Sequence, residues 1–112
     1  MSSIEEIYNF MKVLTKELTD DYYTQYNNME PFARWNLPEE IALEWIDAEG
    51  MIEILSKEGQ LSSELETLLT KIKDNFSSAF EDNLNVYTHE RMITGEFWEN
   101  QRKLAKIALS LF

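Results

Sequence analysis

Apolar residues recur along most of this chain at spacings of three and four, the period of a helix, while the turn formers a sheet needs are scarce. Ser3 can cap a first helix, with Glu6 reaching back to it, and Ile4, Ile7, Met11, Leu14, Leu18 and Tyr22 then mark one face for about five turns. Asn27, Asn28 and Pro31 predict a break, because asparagine favours turns and proline keeps Glu30 out of the helical region. A second helix is expected from Pro38, suited to a first helical turn, to Gly59, suited to a C-terminal cap.

At 100° per residue that second helix carries two apolar faces, one of Ile41, Trp45, Ala48, Ile52 and Leu55, the other of Leu43, Ile46 and Ile54. This predicts a central position. Gly50 lies in its middle, and close packing against a neighbour, a kink and a true break are all open there. A third helix is predicted from Ser63, with Glu66 completing a capping box, to about Asp82. Leu65, Leu68 or Leu69, Ile72, Phe76 and Phe80 face the core. Turn formers alternate with β-favouring residues in the next stretch, so residues 83–93 are left open between loop and extended chain. A last helix runs from about Thr94, with Phe97, Leu104, Ala108 and Leu111 in register and Arg102, Lys103 and Lys106 late, where the helix dipole favours cations. The expectation is an all-α bundle of four main helices with room for a fifth short one, no substantial sheet, and a single domain over residues 1–112.

Composition sharpens this picture mainly through charge. Twenty-one acids against ten bases give a formal net charge of -11, which repels phosphates and anionic lipid, so direct nucleic-acid or membrane binding is not expected. The excess is concentrated: residues 39–66 hold nine acids against Lys57 alone. Within that span Glu40, Glu44, Asp47 and Glu58 fall near one direction of the second helix, a ridge that is either a solvated face or a docking surface for a basic partner. A second cluster, Asp20, Asp21, Tyr22, Tyr23, Tyr26, Phe32 and Trp35, combines carboxylates with aromatics of the kind that anchor interfaces. Tyr22, Phe32 and Trp35 are assigned to core packing, which leaves Asp20, Asp21, Tyr23 and Tyr26 as the second set of candidate contacts.

Chemistry in the enzymatic sense has few candidates. There is no cysteine, and His89 is the only histidine, assigned to a surface or capping role. The acids from Asp47 to Glu58 imitate a calcium loop until the sixth place, where Ile52 stands instead of glycine. No phosphate-binding glycine loop, G-x-S-x-G or H-E-x-x-H occurs. The expectation is a non-enzymatic binding protein with no cofactor, no metal and no catalytic residues. The absence of cysteine, of a basic apolar leader at Met1–Glu6 and of a run of about 20 apolar residues adds the expectation of a soluble protein of the cytoplasm.

The stretch Trp35-Asn36-Leu37-Pro38-Glu39-Glu40-Ile41-Ala42-Leu43-Glu44-Trp45, with the later Trp98-x-x-x-Arg102, resembles small helical immunity proteins encoded beside bacterial polymorphic or contact-dependent toxins. The resemblance covers about a third of the chain. It implies a cytoplasmic protein that binds one cognate toxin domain, often a basic nuclease, and blocks its active site. On that reading Glu40, Glu44 and Asp47 steer the encounter, and Asp20, Asp21, Tyr23 and Tyr26 add contacts. Two other readings remain beside it: a phage-type mimic of nucleic acid that inhibits a defence complex, and a helical adaptor that self-associates through Ala108-Leu109-Ser110-Leu111-Phe112.

Overall fold

In the computed structural model, which describes residues 3–112, every regular element is helical. They are α1 (Ile4–Thr19), α2 (Tyr22–Asn28), a 3-10 turn (Pro31–Asn36), α3 (Leu37–Asp47), α4 (Glu49–Lys57), α5 (Ser63–Glu81), α6 (His89–Thr94) and α7 (Glu96–Leu109). The all-α expectation holds. The four-helix count does not, because two of the four long segments are divided and the region left open contains a short helix; Met1 and Ser2 of the expected domain lie outside the described residues.

The first division lies at Asp20 and Asp21. Ser3 Oγ accepts the Glu6 N–H at 3.1 Å and starts α1 as expected, but Asp20 turns extended and Asp21 Oδ1 accepts the Thr24 N–H at 2.8 Å, capping a new helix. A helix expected to run on to Tyr22 therefore bends one turn early. The second division falls at Ala48, fully buried, and not at Gly50. A Cβ placed on Gly50 would meet nothing within 4 Å, so close packing is not what keeps glycine there.

Other boundaries follow capping chemistry. Gly59 takes a positive φ of 68° after α4, and Gln60 N–H donates to the Leu55 carbonyl at 2.9 Å, the αL cap that only glycine adopts without strain. Asn83 repeats this after α5 at φ 54°, with Leu84 N–H on the Ala79 carbonyl. The α5 cap is Ser62, one residue before the expected Ser63. Residues 83–88 form a turn, and Thr88 Oγ1 then accepts the Arg91 N–H to start α6. Gly95 joins α6 to α7, where an added Cβ would run into the Arg91 carbonyl.

One apolar cluster joins these elements, with Met11, Leu14, Leu18, Trp45, Leu55, Leu65, Leu69, Ile72, Phe76 and Trp98 among its buried members. The Ile41–Leu55 stripe is the buried face of α3 and α4, whereas Leu43 and Ile54 stand at the surface, so the pair is not central. Phe80 is exposed, and in α7 the buried line is Trp98, Gln101, Ala105 and Ala108, displaced by one position from Phe97 and Leu104. Trp98 is fixed by its indole N–H, which donates to the Val86 carbonyl at 2.8 Å. The C-terminal pentad does not form an exposed patch: Ala108 is buried and the Phe112 ring meets Tyr8 edge-on at 5.4 Å. The radius of gyration is 13.7 Å, close to the roughly 13 Å expected for this length. No helix among the described residues is long and apolar enough to cross a membrane.

Candidate functional site

The bend at Asp20 and Asp21 has a structural consequence beyond the helix count. It separates α2 from α1, and a groove lies between the second half of α1, the middle and end of α2, and α3. Gln25 and Arg102 hold the corner. The Gln25 side-chain amide donates to the Glu17 carbonyl at 3.1 Å, and Arg102 donates to the Asp20 carbonyl at 3.2 Å and to Gln25 Oε1 at 3.3 Å. The bond to Asp20 satisfies a main-chain carbonyl at the interruption, and the Glu17 carbonyl also accepts the Asp20 N–H at 3.2 Å. Burial pulls the Arg102 guanidinium below its ordinary pKa, and Asp21 and Glu99 act in the opposite direction.

The groove encloses about 320 Å³. Phe10, Leu14 and Leu18 of α1, Met29, and Ile41 and Trp45 of α3 supply its apolar lining, while Glu17, Asp20, Glu30 and Glu44 bring four carboxyl groups to it. The local pattern explains the placement. Glu17 follows Phe10 by seven residues, which puts the two within about 20° on α1, and Glu44 precedes Trp45 on α3 between the buried stripe and solvent. None of these four carboxylates has an ion-pair partner, since the salt bridges among the described residues join Lys73 to Glu49 and Asp74, and Lys103 to Glu99.

Uncompensated acids beside apolar groups hold their protons more tightly. Loss of hydration, then the charges of Glu17 and Glu40, push the Glu44 carboxyl from 4.5 up to about 6, although Glu44 keeps solvent contact at the groove mouth. Glu17 is also raised, by loss of hydration and by Asp20, with Lys16 working against the shift. Trp45 is completely buried, and its indole N–H is the one buried side-chain polar group among the described residues without a hydrogen-bond partner. No group of three acidic or imidazole side chains that could hold a metal ion occurs among the described residues.

The expected site residues are distributed unevenly about this groove. Asp20 and Glu44 line it, and Glu40 lies close enough to raise Glu44 electrostatically. Asp47 is exposed at the end of α3 and does not line the groove, and Glu58 follows α4, beyond the break at Ala48, so the four acids do not share one continuous helix. Asp21 is a helix cap, held below its ordinary pKa first by the hydrogen bond from the Thr24 backbone. Tyr26 is half-buried under the Arg34 guanidinium, 5.1 Å from its ring centroid, whereas Tyr23 is exposed. Phe32 and Trp35 leave the core to which they were assigned and stand 79% and 77% exposed on the 3-10 turn.

His89 is neither a cap nor a free surface residue. Its Nε2 lies 2.8 Å from the Trp35 carbonyl and its Nδ1 2.6 Å from the Tyr22 hydroxyl, so the ring ties α6 to the 3-10 turn and α2. A carbonyl only accepts, which places the proton on Nε2 and makes Nδ1 the acceptor when the ring is neutral. Among groove residues, Glu17, Glu30, Phe10, Met29 and Ile41 are not among the candidate contacts read from the sequence, although Ile41 belongs to its apolar stripe. The period-seven relation of Phe10 and Glu17 was the signal that could have found those two. No protein-family model, curated protein or solved structure matches the chain.

Proposed function

We propose that this chain is a non-enzymatic acidic inhibitor that binds a basic protein partner, in the manner of an immunity protein neutralising a nuclease-type toxin domain in the bacterial cytoplasm. The observation that carries the reading is the groove: four carboxylates without ion-pair partners border one apolar lining. Two of the four, Glu17 and Glu44, are held above their ordinary pKa by loss of hydration, and folded chains seldom keep such acids unpaired unless they are used. A basic partner supplies the missing charge, and apolar contact at Phe10, Met29 and Ile41 adds dwell time once the complex forms.

Charge supports the same direction. A net charge of -11 accelerates encounter with a cationic surface, and half-buried Glu40 with exposed Asp47 and Tyr23 enlarges the contact. Asp20 and Glu44 act from inside it; Asp21 and Tyr26 contribute through the corner and the 3-10 turn they support. Nucleic-acid mimicry is less well supported, since it calls for acids spread over an extended surface, and residues 67–112 carry six acids and six bases.

The test uses the whole protein as bait in lysate of its source, with elution by rising salt. The expected result is one basic protein retained at moderate ionic strength, whose catalytic activity disappears on adding the bait. Recovery of a multi-subunit nucleic-acid-binding complex released sharply by salt would replace the proposal with mimicry, and recovery of further copies of the chain alone would replace it with self-association.

A further inference from the structure

We infer that the groove between α1, α2 and α3 is a receptor for a single arginine side chain presented by the partner. This assignment rests on the partner being a basic protein and adds which of its side chains is recognised. Two features of the groove select it. Its volume of about 320 Å³ admits one long side chain and not a helix or a second strand. Its carboxylates arrive from different elements, Glu17 and Asp20 from the end of α1, Glu30 from the segment after α2 and Glu44 from α3, so the negative potential in the groove does not depend on one helix face.

The planar guanidinium offers five N–H donors in a fixed fork and can address more than one carboxylate at once, which a lysine ammonium does with less geometric definition. The walls are the second feature. Phe10, Leu14, Leu18, Met29 and Ile41 would surround the aliphatic stem and the faces of the ion, and guanidinium tolerates such surroundings because it is weakly hydrated.

Trp45 lines the groove as well and is completely buried, so its indole reports on an occupant. Arginine within a peptide adds no anion to an acidic site. A free amino acid would bring a carboxylate against four others. A metal ion would require closely converging ligands that the described residues do not provide.

Cation binding and proton binding compete here. Glu44 is half-protonated at about 6, so arginine binding near that pH must release protons, and affinity must fall as pH drops from 7.5 to 5. The acidic groups facing it include Glu17, Asp20 and Glu30 from the other elements and Glu40 on α3, all of which add to the negative potential.

The experiment titrates the full-length protein with acetyl-Gly-Arg-Gly-amide, its lysine counterpart and spermidine, following backbone and indole N–H resonances by NMR. The expected result is saturable millimolar binding of the arginine peptide. Shifts should centre on the Trp45 indole, Glu17 and Glu44, the lysine peptide should bind several-fold more weakly, and Glu17→Gln with Glu44→Gln should weaken binding at least tenfold while the spectrum stays folded. Shifts spread over distant acids such as Glu53 and Glu64, equal binding of both peptides, or undiminished binding by the double variant would overturn the assignment. Tighter binding of spermidine would overturn it in favour of a free polyamine. If a basic protein is captured and inhibited while the peptide fails these criteria, the arginine assignment falls and the inhibitor reading stands. If the peptide meets them and no basic protein is captured, the loss is confined to the inhibitor reading.

Discussion

Replacing Glu44 by glutamine should stabilise the protein at neutral pH, contrary to the usual effect of altering a residue at a packed helix boundary. The carboxyl titrates at about 6 in the folded chain against 4.5 when free, so the folded state holds its proton more tightly than the unfolded state does. For an acid with a raised folded pKa, stability is greatest below the unfolded value, falls as pH rises between about 4.5 and 6, and stays reduced above. The full shift corresponds to roughly 2 kcal/mol, and partial solvent contact at the groove mouth screens this to about 1 kcal/mol. Glutamine keeps the shape, removes the charge and relieves the repulsion from Glu17 and Glu40. Urea unfolding followed by circular dichroism at pH 7.5, 6 and 4.5 measures the effect. The variant should gain about 1 kcal/mol at pH 7.5, equivalent to roughly 4 °C in Tm, and nothing at pH 4.5. Equal loss at both pH values, or a Glu44 carboxyl midpoint near 4.5 by NMR, would refute the reasoning.

Trp45→Ala removes the largest buried side chain of α3, and a loss of about 3 to 5 kcal/mol is expected in chemical denaturation; a loss near zero would show that the indole is not in the core. Arg102→Ala leaves the Asp20 carbonyl and the Gln25 side chain without their donor and should cost about 1 to 3 kcal/mol, with lysine restoring little; hydrogen exchange at residues 19–25 should rise first. Gly95→Ala forces a Cβ into the Arg91 carbonyl and should lower Tm, by about 1 to 3 kcal/mol in stability, whereas Gly50→Ala has open space and should be neutral or stabilising. Phe32→Ala with Trp35→Ala should change stability by less than about 0.5 kcal/mol because both rings face solvent, and a larger loss would put them in contact with the fold.

Helix period and the stripe of Met11, Leu14 and Leu18 were legible in the sequence because burial there follows the 3.6-residue repeat. Helix ends were legible where one residue type has one strong role, as at Ser3 and Gly59. The break at Asp21 was missed although Asp-x-x-Thr can cap a helix, because the apolar stripe runs through it to Tyr22 and periodicity outweighed the cap. Ala48 carries no breaking signal of its own, so that break is a tertiary effect. Phe32 and Trp35 show the opposite limit: hydrophobicity argued for burial, but Pro31 and the short 3-10 turn leave them no partner surface.

The site was half legible. Asp20 and Glu44 were readable as acids beside apolar stripes, but their union with Glu17 and Glu30 depends on the angle between α1, α2 and α3, which no local spacing encodes. Reading the acids as one ridge along a continuous helix put weight on Asp47 and Glu58, and the bends redistributed it to the groove.

The most direct measurement of the central claim is an inhibition titration. The captured basic protein is mixed with increasing amounts of the wild-type chain or of Glu17→Gln with Glu44→Gln, and its activity is read at near-physiological salt. Stoichiometric loss of activity with the wild type, and inhibition shifted at least tenfold to higher concentration with the variant, is the predicted result. Full activity at saturating wild-type protein, or identical inhibition by both, would contradict the claim that this groove neutralises a basic partner.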